Sequence, residues 1–72
     1  MEIINIGSGQ LNDRITGELS YMAVRVADNS IGIVLSQESS GEAEIFIDVD
    51  NCKLLIEWLN TAIIKAKNFD SR

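Results

Sequence analysis

Two glycines separated by one residue follow an apolar run in INIGSGQ, residues 4–10. A glycine-rich turn directly after a strand is the arrangement that holds a phosphate in nucleotide-binding folds. The dinucleotide fingerprint also needs a third glycine, at the position of Asn12 in this chain, and a helix that begins at once. Since both are missing, we interpret Gly7 and Gly9 as residues that let the chain leave a strand and turn.

A second segment places two carboxylates after an apolar strand, in IFIDVDN (residues 45–51). It resembles the first motif of haloacid dehalogenase-type phosphatases, in which the first aspartate is the nucleophile and the second the general acid. The usual threonine is replaced by Cys52, and the chain ends too soon for the family's later motifs. We therefore reject this activity and predict that Asp50 caps a helix while Asp48 is solvated.

Other catalytic chemistry has no candidate residues. There is no histidine to activate a serine or Cys52, and Glu42 and Glu44 fall in an exposed hairpin, where carboxylates are solvated. One cysteine without histidine cannot build a zinc site. We expect no enzyme activity, no catalytic residue, no metal and no cofactor.

Composition limits the class of protein. The chain has 72 residues, of which 46% are hydrophobic and 24% charged, which is typical of one small folded domain, residues 1–72. A net charge of −5 disfavours nucleic acid and anionic membrane surfaces as partners. The apolar runs are too short to span a membrane, and Glu2 stands where a signal peptide would be basic. We expect a cytoplasmic protein that contacts neither nucleic acid nor membrane.

Alternating apolar residues in 20–49 predict a three-stranded meander. We place a two-residue turn at Asp28 and Asn29 and a three-residue loop at 39–41, with Gly41 in the left-handed conformation. This register pairs Leu35 with Ile45 and puts nine apolar side chains on one side. We call this side the aliphatic face: Met22, Val24, Val26, Ile31, Ile33, Leu35, Ile45, Ile47 and Val49.

The remaining segments complete an α+β fold. Residues 50–67 have helical periodicity, and 68–72 are predicted to be a frayed tail. We expect residues 1–19 to hold a fourth strand at a sheet edge, MEIINI, followed by either a short strand or a long loop. The prediction is an antiparallel β-meander of three to four strands with one C-terminal α-helix packed on one face.

The helix has a wider apolar arc than one sheet needs. Its inward positions are Cys52, Leu55, Ile56, Leu59, Ala62, Ile63 and Ala66. Leu54 and Trp58 extend the arc to about half of the circumference, although a helix on a sheet needs only about a third. We therefore predict that Leu54 and Trp58 lie in an oligomer interface, with a homodimer favoured.

The opposite side of the meander, which we call the mixed face, also carries apolar residues. Val34 and Phe46 are predicted in one row, and Gly32 leaves a gap between Arg25 and Asp48 in the next. One explanation is that the N-terminal strand or a second subunit covers this face. The other is that it binds a target through four residues: Tyr21, Arg25, Val34 and Phe46.

Arginines before the helix could hold an anion. Arg14 and Arg25 are the only basic residues there, and a pocket that joins them to Tyr21 or Trp58 could bind a small phosphorylated ligand between subunits.

The preferred functional interpretation is a non-catalytic binding protein that acts by protein–protein association on a target with a basic surface. Its size and acidity are similar to those of small inhibitor or accessory proteins encoded by phages and mobile elements. One alternative is an oligomer that sequesters a phosphorylated or nucleotide-like ligand. The other is a purely structural oligomerisation module.

Overall fold

The computed structural model describes residues 2–70 as four strands followed by one helix. In chain order these are β1 (Ile3–Asn12), β2 (Leu19–Ala27), β3 (Ser30–Gln37), β4 (Gly41–Ile47) and α1 (Val49–Asp70). The strands form one antiparallel sheet in the order β1-β2-β3-β4, and α1 packs on the sheet at β3. The predicted α+β meander with a C-terminal helix is confirmed.

The register between β2 and β3 agrees with the turn chemistry of Asp28 and Asn29. Met22 lies opposite Leu35, and Val24 lies opposite Ile33, as predicted. Asp28 takes the positive φ of 54° that a tight hairpin turn demands, which a short polar side chain tolerates.

The register between β3 and β4 differs from the prediction by two residues. The loop is formed by residues 38–40, and Gly41 begins β4 with a φ of 79°. Glycine thus supplies the left-handed residue from the first position of the strand. Ile45 lies opposite Ile33, not Leu35. Because side chains alternate with a period of two, this shift leaves Ile45 and Ile47 on the aliphatic face.

The first strand is longer than expected, and the prediction of a glycine turn is wrong. Gly7 and Gly9 lie inside β1, opposite Val24 and Met22. Ile6 has no partner in β2 because the register shifts between Asn5 and Gly7, which forms a β-bulge. The chain turns later, in residues 13–18, where Gly17 has a φ of 77°.

The N-cap of α1 is Asp48 and not Asp50. The Asp48 carboxylate accepts a hydrogen bond from the Asn51 N–H at 2.8 Å, and its carbonyl accepts one from the Cys52 N–H at 3.0 Å. Asp48 is therefore not simply solvated, and Asp50 lies in the first turn. The helix also continues through residues 68–70 of the predicted frayed tail, whereas 71 and 72 lie outside the described residues.

Burial is sparse and falls mainly on the mixed face. Among residues 2–70 the buried hydrophobic residues are Ala23, Ala27 and Val34. On the aliphatic face, the side chains near the start of α1, such as Ile31 and Ile47, are half-buried, whereas Leu35 at the opposite end is 61% exposed. This gradient indicates that the first turns of α1 cover only one end of the aliphatic face.

The helix extends past the sheet. The 22 residues of α1 span about 33 Å, and the 9 residues of β2 span about 30 Å. The longest dimension of the molecule is 48 Å, which exceeds both lengths. Its radius of gyration is 14.3 Å, compared with about 11 Å for a compact chain of this length. Most of α1 therefore overhangs.

Candidate functional site

The mixed face contains an aromatic ring packed over a glycine. Phe46 lies opposite Gly32, and a Cβ built on Gly32 would be 2.6 Å from the Phe46 ring carbon Cε1. The predicted row is thus displaced, because Phe46 and not Asp48 is the neighbour of Gly32. The ring fills the gap that a side chain at residue 32 would occupy. Phe46 itself is 44% exposed.

An ion pair crosses the same face. The Arg25 Nη1 lies 3.2 Å from the Glu44 Oε2, and each side chain is 33% exposed. Arg25 is beside Gly32, and Glu44 is beside Val34, so the pair spans β3 diagonally. Val34, whose side chain lies on the same face, is fully buried. Tyr21 and Arg25 are half-buried. An anionic ligand at Arg25 would compete with Glu44.

The two arginines are not brought together. Arg14 lies in the loop between β1 and β2, next to the end of β2 that carries Tyr21. Arg25 is four residues further along β2 than Tyr21, which is about 13 Å of strand. The backbone positions of Arg14 and Arg25 therefore lie toward opposite ends of β2.

A groove lies at the end of the sheet formed by the β1–β2 and β3–β4 loops, and we call it the loop-end groove. Its volume is about 470 Å³. The apolar part of its lining belongs largely to the aliphatic face and includes Leu11, Met22, Leu35 and Ala43. Such a volume suits a small molecule or an inserted side chain. The groove was not predicted, although the pairing of Met22 with Leu35 already placed two of its walls side by side.

Polar side chains close one wall of the loop-end groove. The Gln37 amide donates to the Asp13 Oδ2 at 2.8 Å and to the Ser20 hydroxyl at 3.0 Å. The Asp13 Oδ1 accepts from the backbone N–H groups of Ile15 and Thr16. These backbone bonds, with the Gln37 amide, lower the pKa of Asp13 below its ordinary value. The Asp13-to-Gly17 spacing is a turn signal that could have located this loop.

The two loops are also joined directly. The Glu18 carboxylate accepts hydrogen bonds from the N–H and from the hydroxyl of Ser39. Glu18 precedes β2, and Ser39 follows β3, so this contact fixes the relative position of the two loops. Hydrogen bonds therefore connect the two loops beside the loop-end groove.

The predicted interface residues of α1 are exposed. Leu54 is 38% exposed and Trp58 is 61% exposed. Positions predicted to face the sheet are exposed as well, since Ile56, Leu59 and Ile63 are each more than half exposed. Cys52 and Leu55 are half-buried where the helix meets the sheet. We call Ile56, Leu59, Ile63 and the flanking Trp58 the open helix stripe.

The described residues present many exposed apolar side chains. Within residues 2–70 no group of three acidic, cysteine or histidine side chains is placed to hold a metal ion. In the same range no helix is long and apolar enough to cross a membrane. Comparison of the chain with known protein families, with curated proteins and with solved structures finds no match.

Proposed function

We propose that this protein is non-catalytic and acts by protein–protein association, as a small acidic inhibitor or accessory protein that is itself a homodimer. The observation that carries this proposal is the imbalance between buried and exposed apolar residues. In residues 2–70, nineteen large hydrophobic side chains are exposed, whereas three hydrophobic residues are buried. Exposed apolar surface of this extent is a feature of interaction sites and not of stable monomers.

The accessible area supports self-association. The chain exposes 6001 Å², and a compact monomer of 7.9 kDa would expose about 4400 Å². The excess is about 1600 Å² per chain, or about 3200 Å² for two chains, which is within the range of permanent homodimer interfaces. One further copy of the chain would therefore be sufficient to cover the surplus.

The charge distribution supports a basic target for the dimer. The loop end of the sheet carries four carboxylates, those of Asp13, Glu18, Glu38 and Glu42. Arg14 is the basic residue of the same two loops. A surface of this sign accelerates encounter with a positively charged protein and loses that effect as salt is added.

Sedimentation equilibrium over a dilution series tests self-association. We expect a mass of twice 7.9 kDa at high concentration. Trp58 is the only tryptophan of the chain, so its fluorescence emission should shift to longer wavelength as the dimer dissociates. A monomer at every concentration, with constant Trp58 emission, would contradict the homodimer.

Affinity capture at low and high salt tests the basic target. The wild type should retain a partner at low salt only, and the double variant Glu38→Lys with Glu42→Lys should lose that partner while it still sediments as a dimer. The control is Glu57→Lys on α1, which changes the net charge by half as much and should retain the partner. If no salt-sensitive partner is found and nucleotides raise the melting temperature in proportion to their concentration, the ligand-sequestering alternative is favoured. If neither occurs in a stable dimer, the structural module is favoured.

A further inference from the structure

Two apolar surfaces of one chain are left uncovered by the rest of that chain. The first is the loop-end half of the aliphatic face, where Met22 is 49% exposed, Leu35 61% and Ile45 58%. The second is the open helix stripe, where Leu59 is 53% and Ile63 51% exposed. The two surfaces are complementary, because the apolar stripe of a helix normally packs on the apolar face of a sheet.

The helix cannot cover both ends of its own sheet. Its first turns occupy the end of the aliphatic face near Ile31 and Ile47, and the remainder overhangs. Residues 56–70 are about 22 Å long, which is more than enough to span the open half of the sheet, about 15 Å of strand. A helix of this length from another copy would fit the vacant half.

The edge of the vacant half is flat. Gly7 and Gly9 of β1 lie beside Val24 and Met22, and a Cβ at either glycine would meet nothing within 4 Å. Glycine permits close approach of another element to the sheet because it has no side chain. The loop-end groove continues this surface toward Leu35 and Ala43.

Charge also matches the two surfaces. Lys65 lies near the C-terminal end of α1, whereas the loop end of the sheet carries Asp13, Glu38 and Glu42. If a helix from a second copy passes over the vacant half, its C-terminal turns approach these carboxylates. Opposite charges in this arrangement favour one direction of packing over the reverse.

We propose that two copies of the chain exchange their helices around a two-fold axis. In this dimer the open helix stripe of each protomer lies on the loop-end half of the other protomer's aliphatic face, and an apolar side chain of the helix enters the loop-end groove. Such an interface is isologous and closed, since both copies give and receive the same element. The inference rests on the homodimer in the proposed function and adds its geometry.

Mixed isotope labelling of the full-length chain tests the geometry by NMR. In a sample of ¹³C-labelled and unlabelled chains, we expect intermolecular NOEs from the methyl groups of Leu59 and Ile63 to those of Met22, Leu35 and Ala43. Intermolecular NOEs that connect only helix to helix, or only sheet to sheet, would overturn the exchange while leaving the homodimer intact. A monomer in sedimentation would overturn both.

Paired variants test the same contact by affinity. Leu59→Asp should raise the dimer dissociation constant at least about tenfold, as expected for a central apolar contact. The matched control is Asn60→Asp, which adds the same charge at the next position, on the polar side of α1. It should change the dimer dissociation constant less than about twofold. Equal effects of the two variants would overturn the proposal. Should Leu59→Asp not fold, the NOEs of the wild type decide.

Discussion

The carboxylate of Glu18 accepts two hydrogen bonds from Ser39, one from the backbone N–H at 2.6 Å and one from the hydroxyl at 2.8 Å. The contact joins the loop before β2 to the loop after β3. Both residues are within two positions of residues that line the loop-end groove, in a molecule whose described residues bury little apolar surface. The shape of that end of the sheet therefore depends on a few exposed polar contacts.

Glu18→Ala should lower the free energy of unfolding by about 1 kcal/mol, because two charge-assisted hydrogen bonds are lost in a solvated site. Ser39→Ala should cost less, since only the hydroxyl bond is lost. Urea denaturation measures both changes. Glu38→Ala in the same loop is the control and should change stability by less than about 0.5 kcal/mol. If Glu18→Ala and Glu38→Ala lowered the free energy of unfolding equally, the contact between Glu18 and Ser39 would contribute nothing to stability.

Gly32→Ala should destabilise the protein by about 1–2 kcal/mol, because the added Cβ would overlap the Phe46 ring. The overlap disappears when the ring is removed, so the same change in a Phe46→Ala background should cost markedly less. A double-mutant cycle by thermal or urea unfolding measures the difference. An unchanged cost in that background would assign the effect to the backbone and not to the ring.

Asp48→Ala should cost about 1 kcal/mol and reduce the helical circular dichroism signal, because the Asn51 N–H loses its acceptor. Asp50→Ala should cost less, about 0.3–0.5 kcal/mol, as it removes only a favourable charge near the helix N-terminus. Asp48→Asn should retain most of the stability, since asparagine is also a good N-cap. If Asp50→Ala cost more stability than Asp48→Ala, Asp50 would be the N-cap.

The pH dependence of stability should include a contribution from Asp13, whose pKa in the folded protein is lowered by the Ile15 and Thr16 N–H groups and by Gln37. A lowered folded-state pKa gives stability that is complete above the unfolded value, about 3.9 for aspartate. This stability disappears as pH falls toward the lower folded-state value. The stability difference between wild type and Asp13→Asn should therefore shrink below about pH 4. A pH-independent difference would contradict this origin.

The pairing of β2 with β3 and the faces of the strands could be predicted from alternation and turn residues. Asp28 with Asn29 defines one turn, and the pairing of Met22 with Leu35 follows from it. The loop after β3 was ambiguous, because two serines and a glycine allow the turn to begin at residue 38 or 39. The predicted face of Ile45 was still right, because a register shift of two residues leaves each side chain on the same side of the sheet.

The helix cap and the reach of the helix could not be predicted from the same reasoning. Asp48 and Asp50 both precede the helical pattern, and no glutamate or glutamine at the third helical position distinguishes them. Local sequence also does not determine how far a helix packs along its sheet. The excess width of the apolar arc at Leu54 and Trp58 was the one local sign that a single sheet would not cover it.

The bulge at Ile6 limits how copies of the chain can pair through the outer edge of β1. An uninterrupted ten-residue outer strand would be a template for pairing with another outer strand, and repeated pairing of that kind builds fibres. At Ile6 the ladder is broken and the strand bends, so β1 is a poor template along its length. At the opposite edge, β4 is short and carries Glu42 and Glu44, which repel an incoming copy of the same strand.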